Sequence, residues 1–270
     1  MFKFKTEQKV CEIGGVKIGG DNPTVLVGTI FYPEEKNRQD LNEAKRKMED
    51  ALKFSEEHGI PFIPDVYVEK GDDIKKTIEF ITSFKLPFMI DSSEWEVRIE
   101  ALKHCMEAGI SDRLIYNSIN FGMSEDEREL IKELKPKNAI LLAFNPVDYS
   151  VQGKVNLVKN KLLPFSKVAK VENTLIDSAV TTIGDGSLNA IKAVIALKSE
   201  LGLPAGNGIH NLASNFVSKY DKEVKRICDS SLIAAQALLG ADFLMFGPIE
   251  SSWRVFPVVK MVNEILSDEK

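Results

Sequence analysis

Short apolar runs alternate with amphipathic stretches along most of the chain. The runs are TVLVGTIFY from Thr24, PFIPDVYV from Pro61, PFMIDSS from Pro87, RLIYNSIN from Arg113, NAILLAFN from Asn138, TLIDSAV from Thr174, LPAGNGIHN from Leu203 and FLMFGPIE from Phe243. Most are apolar at successive positions rather than at every second one, which predicts parallel strands buried on both faces. Between the runs the period becomes helical: Leu41, Ala44, Met48, Ala51 and Leu52 form one i, i+3/i+4, i+7 stripe, and Leu188, Ile191, Val194, Ile195 and Lys198 form another. Gly59, Gly109, Gly202 and Gly240 each stand between a helical stretch and the next run, where a left-handed helix C-cap favours glycine. Ser124 and Glu127 in SEDE predict a capping box opening the helix after the fourth run. Eight such units in 270 residues predict a single (β/α)8 TIM barrel in preference to an open doubly wound sheet. The first residues break the pattern. KVCEIGGVKIGG pairs two short alternating runs across Gly14-Gly15, so residues 1–22 are expected to form a hairpin closing the N-terminal mouth of a barrel built from residues 23–270.

Composition narrows the function classes. The net charge is −5 and no Lys/Arg-rich run sits beside interleaved aromatics, so no nucleic-acid partner is expected. Cys11, Cys105 and Cys228 lie far apart without C-x-x-C spacing, which points to inert packing residues in a reducing interior. The start MFKFKTEQKV carries charges where a signal peptide needs its apolar core, and no window approaches the ~18 apolar residues of a membrane span. A cytoplasmic location is expected, with at most peripheral docking on a membrane complex.

In a TIM barrel the C-terminal strand ends and the loops behind them form the active site. Here they supply Thr29, Asp65, Asp91 with Ser92, Asn117 with Ser118 and Asn120, Asn145, Asp177, Asn207 with His210 and Asn211, and Glu250. Ser92, Ser118 or Ser178 can instead cap the helix that follows. Asp91, Asn117 and Asp177 stand apart, because three strands that end alike aim at one shared mouth. No lysine ends a strand, so Schiff-base chemistry lacks its nucleophile. The three histidines, His58, His104 and His210, are scattered, which argues against a His-rich metal site. GDGSLN from Gly184 lacks the full glycine pattern of a phosphate loop and reads as a turn with an N-cap. Carboxylates and amides without a strong nucleophile suit a heterocycle with its own donor and acceptor edge. A pterin fits: one carboxylate takes its amino group and ring N–H together, and an asparagine meets the mixed side. RLIYNSIN is then a strand whose tip reads a ring.

Longer motifs point the same way. FKF-x-x-EQ-x-V-x-EIGGVK-x-GG, PTVL-x-GT-x-FY, IDS, DR-x-IYNSIN, LAFN, LID and GLP-x-G-x-GIHN, spread from Phe2 to about Tyr220, resemble the MtrH subunit of tetrahydromethanopterin S-methyltransferase and its relatives. Those relatives include the corrinoid-linked tetrahydrofolate methyltransferases of bacterial glycine betaine metabolism. The resemblance implies a pterin-binding TIM barrel akin to dihydropteroate synthase. It also implies methyl transfer between N5 of a tetrahydropterin, either tetrahydromethanopterin or tetrahydrofolate, and the cobalt of a corrinoid. Carried over by position, Asp91, Asn117 and Asp177 match ring-binding residues, with Ser118 and Asn120 beside them. Asn207 is placed like the asparagine that reaches N5 in the methyltetrahydrofolate relatives. Asn207, or a water held by Asp65 or Asn145, is the expected activator of N5. The chain lacks D-x-H-x-x-G, the usual corrinoid lower-ligand motif, so the corrinoid is expected on a partner protein. The chain is trimmed relative to the MtrH family after TIFY and before TLID. A homodimer is expected, because the relatives form one.

Two other readings compete. A non-catalytic scaffold subunit would keep the barrel and lose turnover. A dihydropteroate synthase-like enzyme would need basic residues near the last two strands to hold a diphosphate, where Arg254 is the one nearby base.

Overall fold

The computed structural model describes residues 4, 6–32, 40–183, 186–216 and 220–268, with side chains omitted for 214–216; Gly184 and Asp185 of the GDGSLN stretch lie outside them. A hairpin, β1 (Val10–Ile13) and β2 (Val16–Gly19), precedes eight strands: β3 (Val25–Ile30), β4 (Phe62–Tyr67), β5 (Phe88–Asp91), β6 (Leu114–Ile119), β7 (Asn138–Leu142), β8 (Asn173–Asp177), β9 (Ala205–Asn207) and β10 (Phe243–Pro248). These eight are the eight apolar runs. They neighbour one another in sequence order, all parallel, and β10 returns to β3 to close the barrel. The surrounding helices are α1 (Leu41–His58), α2 (Ile74–Thr82), α3 (Trp95–Glu107), α4 (Glu125–Leu134), α5 (Val151–Leu157), α6 (Leu163–Val168), α7 (Ser187–Leu201), α8 (His210–Phe216), α9 (Lys222–Leu238) and α10 (Ser252–Ser267).

Alternation along each strand sorts the apolar side chains into two cores. Val27, Ile63, Met89, Ile115, Ile140, Leu175 and Phe243 point inward and pack with Cys11, Ile13 and Ile18 of the hairpin. The hairpin thus buries its own apolar face against the inner core. Leu26, Phe62, Phe88, Leu114, Leu141, Ile176 and Leu244 point outward and pack against the helices. Each such residue withdrawn from water contributes about 1.5 to 3 kcal/mol, so the strands are held from both sides. Burial raises the thiol of Cys11 to about 11 and that of Cys105 to about 12, which leaves both as unreactive packing groups.

Gly59 and Gly202 end α1 and α7 in the left-handed conformation, as the punctuation predicts. Two local expectations change. In α7 the buried face is Ala190, Ala193, Val194, Leu197 and Lys198, while Leu188 is exposed. Val194 and Lys198 of the expected stripe lie on that face and Ile191 packs partly buried against the core, so the stripe departs from the expectation mainly at its first residue. At α4, Ser124 accepts from the Glu127 N–H, but the Glu127 carboxylate does not return to the cap. It turns inside, where it accepts from Arg98 (2.8 Å) and from the Tyr116 hydroxyl (2.7 Å).

Candidate functional site

On five strands the inward position two residues beyond the inner apolar layer is polar. Val27 leads to Thr29, Ile63 to Asp65, Met89 to Asp91, Ile115 to Asn117 and Leu175 to Asp177. A step of two keeps each pair on one face of its strand. The register agrees, since Thr29 pairs with Asp65 and Asp91 with Asn117. Together with Ser118, Asn120, Tyr32, Tyr67, Arg98, Phe144, His210 and Asn211, these residues line a cavity of about 500 Å³ at the C-terminal mouth. That is the size range of small-molecule sites. Six of the expected site residues thus meet in one place: Asp65, Asp91, Asn117, Ser118, Asn120 and Asp177. The peptide joining Asn117 to Ser118 is cis.

Asp65 and Asp177 are buried, Asp91 is partly buried, and burial raises the pKa of all three. Asp177 is 7% exposed, and its Oδ1 accepts from the N–H of Ala179 at 2.7 Å. Burial raises its pKa to about 6; the Ala179 N–H and the Lys154 ammonium pull it down, and Asp91 adds to the rise. Lys154 is buried behind β7 and β8, donating to the carbonyls of Ala143 and Ala179 at 3.3 Å each. Burial drives Asp65 well above the ordinary carboxylate range, and the charge of Asp91 drives it further. Thr29 donates to its Oδ2 at 3.1 Å, while Oδ1 is buried without a partner. Asp91 is raised by burial and lowered by Arg98. Burial and the neighbouring charge of Asp91 both favour the protonated form of Asp65, the deeper of the two.

The structure does not bring Asn207 or Asn145 to the cavity. In β9, Gly206 pairs with Asp177 and Phe243, and Asn207 with Leu244 of the outer core. Asn207 therefore faces the helices. Its amide donates to Ser178 (3.1 Å) and Gln236 (3.2 Å), and it is fully buried. The inward place at this level belongs to Gly206, where an added Cβ would lie 2.0 Å from the Phe243 carbonyl oxygen. Asn145 lies three residues past β7, where it accepts from the N–H groups of Val147 and Asp148 and donates to the Gly153 carbonyl. It is a loop-shaping residue. Glu250 turns out to Lys47.

Two lining or supporting groups escape the strand-end rule, while His210, expected at the end of β9, does line the cavity. Arg98 and Lys154 stand on helices and reach the site from behind the sheet, a placement that no periodicity signals. His210 opens α8 beyond β9; its Nδ1 lies 3.1 Å from the Met245 carbonyl. Burial lowers its pKa, so it is neutral at pH 7. Among the described residues, no group of three or more His, Cys, Asp or Glu is placed to hold a metal ion. No helix among them is long and apolar enough to cross a membrane.

Comparison with known proteins agrees with this architecture. The barrel superposes on dihydropteroate synthase from Yersinia pestis in a sulfonamide complex with a TM-score of 0.72, at 13% identity, covering 97% of this chain and 100% of that one. The enzyme from Xanthomonas albilineans, complexed with indole-2-carboxylic acid and 6-chloroguanine, gives 0.69 at 14% identity over 96% and 98%. Sequence relatives lie much nearer. The corresponding tetrahydromethanopterin S-methyltransferase subunit of Methanopyrus kandleri is 36% identical over 295 aligned positions, 96% of this chain and 91% of that protein. Its counterpart in Methanosarcina mazei is 35% identical over 99% and 93%. A protein of Methanosarcina barkeri described as a subunit of a putative methyltransferase, mtx, is 35% identical over 99% and 94%. The sequence model of the tetrahydromethanopterin S-methyltransferase MtrH subunit matches residues 6–270, and to that family this chain belongs.

Proposed function

We propose that the protein moves a methyl group between N5 of a tetrahydropterin, tetrahydromethanopterin or tetrahydrofolate, and the cobalt of a corrinoid carried by a partner protein. The observation that carries this reading is the arc of Asp91, Asn117 and Asp177 on β5, β6 and β8, facing one cavity that holds no strong nucleophile. Around a pterin the polar atoms run N8, N1, 2-amino and N3, O4, N5. Asp177 suits the two adjacent donors at the 2-amino group and N3, because Oδ1 keeps a second lone pair beyond the Ala179 bond and Oδ2 is open. Asn117 and Asp91 suit N1, an acceptor, and N8–H, a donor. The reverse placement would set the Asp91 carboxylate against the acceptors O4 and N5. Asp65, whose protonated form burial favours, ends the arc.

Methyl transfer needs no nucleophile from this chain. The methyl passes to a cob(I)amide, and the protein's task is to hold the ring and to stabilise N5 as the bond to carbon breaks. The family's membership of a methyltransferase complex supports a partner. So do Phe121, Val147, Tyr149 and Ile183, exposed apolar residues on the loops after β6, β7 and β8 that surround the mouth. A homodimer is supported by Trp253, Met261 and Ile265, about half exposed at four-residue multiples along α10.

A synthase of the dihydropteroate type is disfavoured by the last two strands. The lining there is Gly208, His210, Asn211 and Met245. Arg254 is directed to Asp229 and Ser230 on α9. The test is to mix the purified protein with cob(I)alamin and each methylated carrier while following the cobalt spectrum. Conversion to methylcobalamin is expected. Carrier binding without conversion would instead identify a scaffold subunit.

A further inference from the structure

If Asp177, Asn117 and Asp91 take the ring from the 2-amino group round to N8, then O4 and N5 face β9 and β10 on the other side of the mouth. Asn207, the residue expected there, is turned to the helices. The group that occupies this side is His210, which lines the cavity from the loop after β9. Its position is built. Nδ1 meets the Met245 carbonyl at 3.1 Å, and the ring lies over Gly247, where an added Cβ would come within 2.9 Å of Cδ2. A carbonyl only accepts, so Nδ1 carries the proton and the tautomer is fixed. Nε2, which makes no hydrogen bond among the described residues, is left as a lone pair.

We propose that His210, through Nε2, is the proton partner of N5 during methyl transfer. The inference rests on the function proposed above. The N5-methyl carrier offers only a lone pair at N5, and a neutral His210 offers another, so their close approach requires a proton between them. In the transfer, the C–N5 bond breaks and its electron pair stays on N5. The cob(I)amide supplies the pair for the new bond to carbon, and the Nε2 proton passes to N5. His210 is left neutral, accepting a hydrogen bond from the N5–H of the demethylated carrier. One proton is consumed per methyl group, as the overall reaction requires.

The surroundings of the imidazole suit this role. Burial lowers its pKa, the Met245 carbonyl and Asp229 of α9 oppose that, and Lys225 of α9 adds to it. Asp229 is partly neutralised by Arg254 at 2.9 Å. Asp65, Asp91 and Asp177 share the cavity. The free protein is therefore unprotonated at His210 near pH 7, and the proton arrives with the methylated carrier.

Calorimetry in two buffers of different ionisation enthalpy counts protons taken up on binding. Wild-type protein at pH 7.5 is expected to take up close to one more proton with the N5-methyl tetrahydropterin than with the demethylated one. His210→Asn retains an amide for the Met245 carbonyl but has no Nε2, and His210→Gln offers a donor that does not titrate. Both should abolish the difference while weakening binding of the demethylated carrier by no more than about tenfold, the worth of the lost N5–H hydrogen bond, and His210→Asn should slow single-turnover methyl transfer by about 100-fold or more. Equal proton counts in wild type, or a difference that persists in both variants, would overturn the assignment of His210 and leave the function standing. Failure of wild type to bind either carrier would overturn both.

Discussion

The two ends of the barrel use similar polar residues to opposite effect. At the N-terminal end, Lys198 and Asp242 are buried and pair at 2.6 Å. Lys198 also donates to the Gly240 carbonyl, and the second Asp242 oxygen accepts from the Ala205 N–H. Asn138 donates to the carbonyls of Asp112 and Leu114 and accepts from Asn173, which also reaches Glu12 in the hairpin. Every partner there is another part of the fold. At the C-terminal mouth, three inward carboxylates face one another, Asp65 keeps a bare oxygen, and Asp177 is held near 6. A buried polar group left unmatched costs about 1 to 3 kcal/mol, a cost that a ligand with matching donors offsets. The lower end spends its polar groups on stability, and the upper end leaves them unmatched within the fold.

Removing one member of the lower pair breaks this contrast most sharply. Lys198→Ala leaves Asp242 buried without its cation and should cost about 3 to 5 kcal/mol in denaturant unfolding. Carrier affinity in the protein that remains folded should not change.

The upper end should respond with the opposite sign. The folded-state pKa of Asp177 is raised from 3.8 to about 6, so the stability contributed by its protonated form is complete below about 3.8 and is lost as pH rises through about 6. Asp177→Asn removes that loss and still accepts the Ala179 N–H. It should stabilise the free protein at pH 7 by about 1 to 3 kcal/mol, with little effect at pH 4, while weakening carrier binding by about 2 to 4 kcal/mol. Unfolding curves at the two pH values check both halves of the statement.

Asn207 distinguishes the faces of a single strand. Because its amide serves Ser178 and Gln236 behind the sheet, Asn207→Ala should lower stability by about 1 to 2 kcal/mol. Single-turnover transfer at saturating carrier should stay within a few-fold of wild type. The smallest expected effect is at the α10 surface. Trp253→Glu should shift the protein from dimer to monomer in light scattering at micromolar concentration while leaving each barrel intact.

Much of this architecture is legible in the residues alone. Strands buried on both faces write themselves as continuous apolar runs, so all eight appear in the sequence, and on five of them a polar residue two steps beyond the inner apolar one marks the mouth. Asn207 defeats the same reading because β9 has only three residues, Ala205–Asn207, too short for alternation to show which face the last one takes. Its parity is visible only through the pairing of Gly206 with Asp177. Glu127 satisfies a capping pattern yet is drawn inside by Arg98 and Tyr116, partners that sequence spacing does not bring near. Lys154 and Arg98 reach the site from helices, and their roles follow from which carbonyls and carboxylates happen to lie within reach.

The claim that the mouth reads a tetrahydropterin through Asp177 is tested most directly by calorimetric titration of wild type and Asp177→Ala with tetrahydromethanopterin between pH 5 and 8. Wild-type affinity should be level above about pH 6 and weaken as pH falls below it, because two ligand donors require the ionised carboxylate. Asp177→Ala should lose about 2 to 4 kcal/mol of binding at pH 7, the worth of a charge-assisted pair left facing an apolar hole. Unchanged affinity in a folded Asp177→Ala protein, or wild-type binding indifferent to pH across 6, would contradict the account.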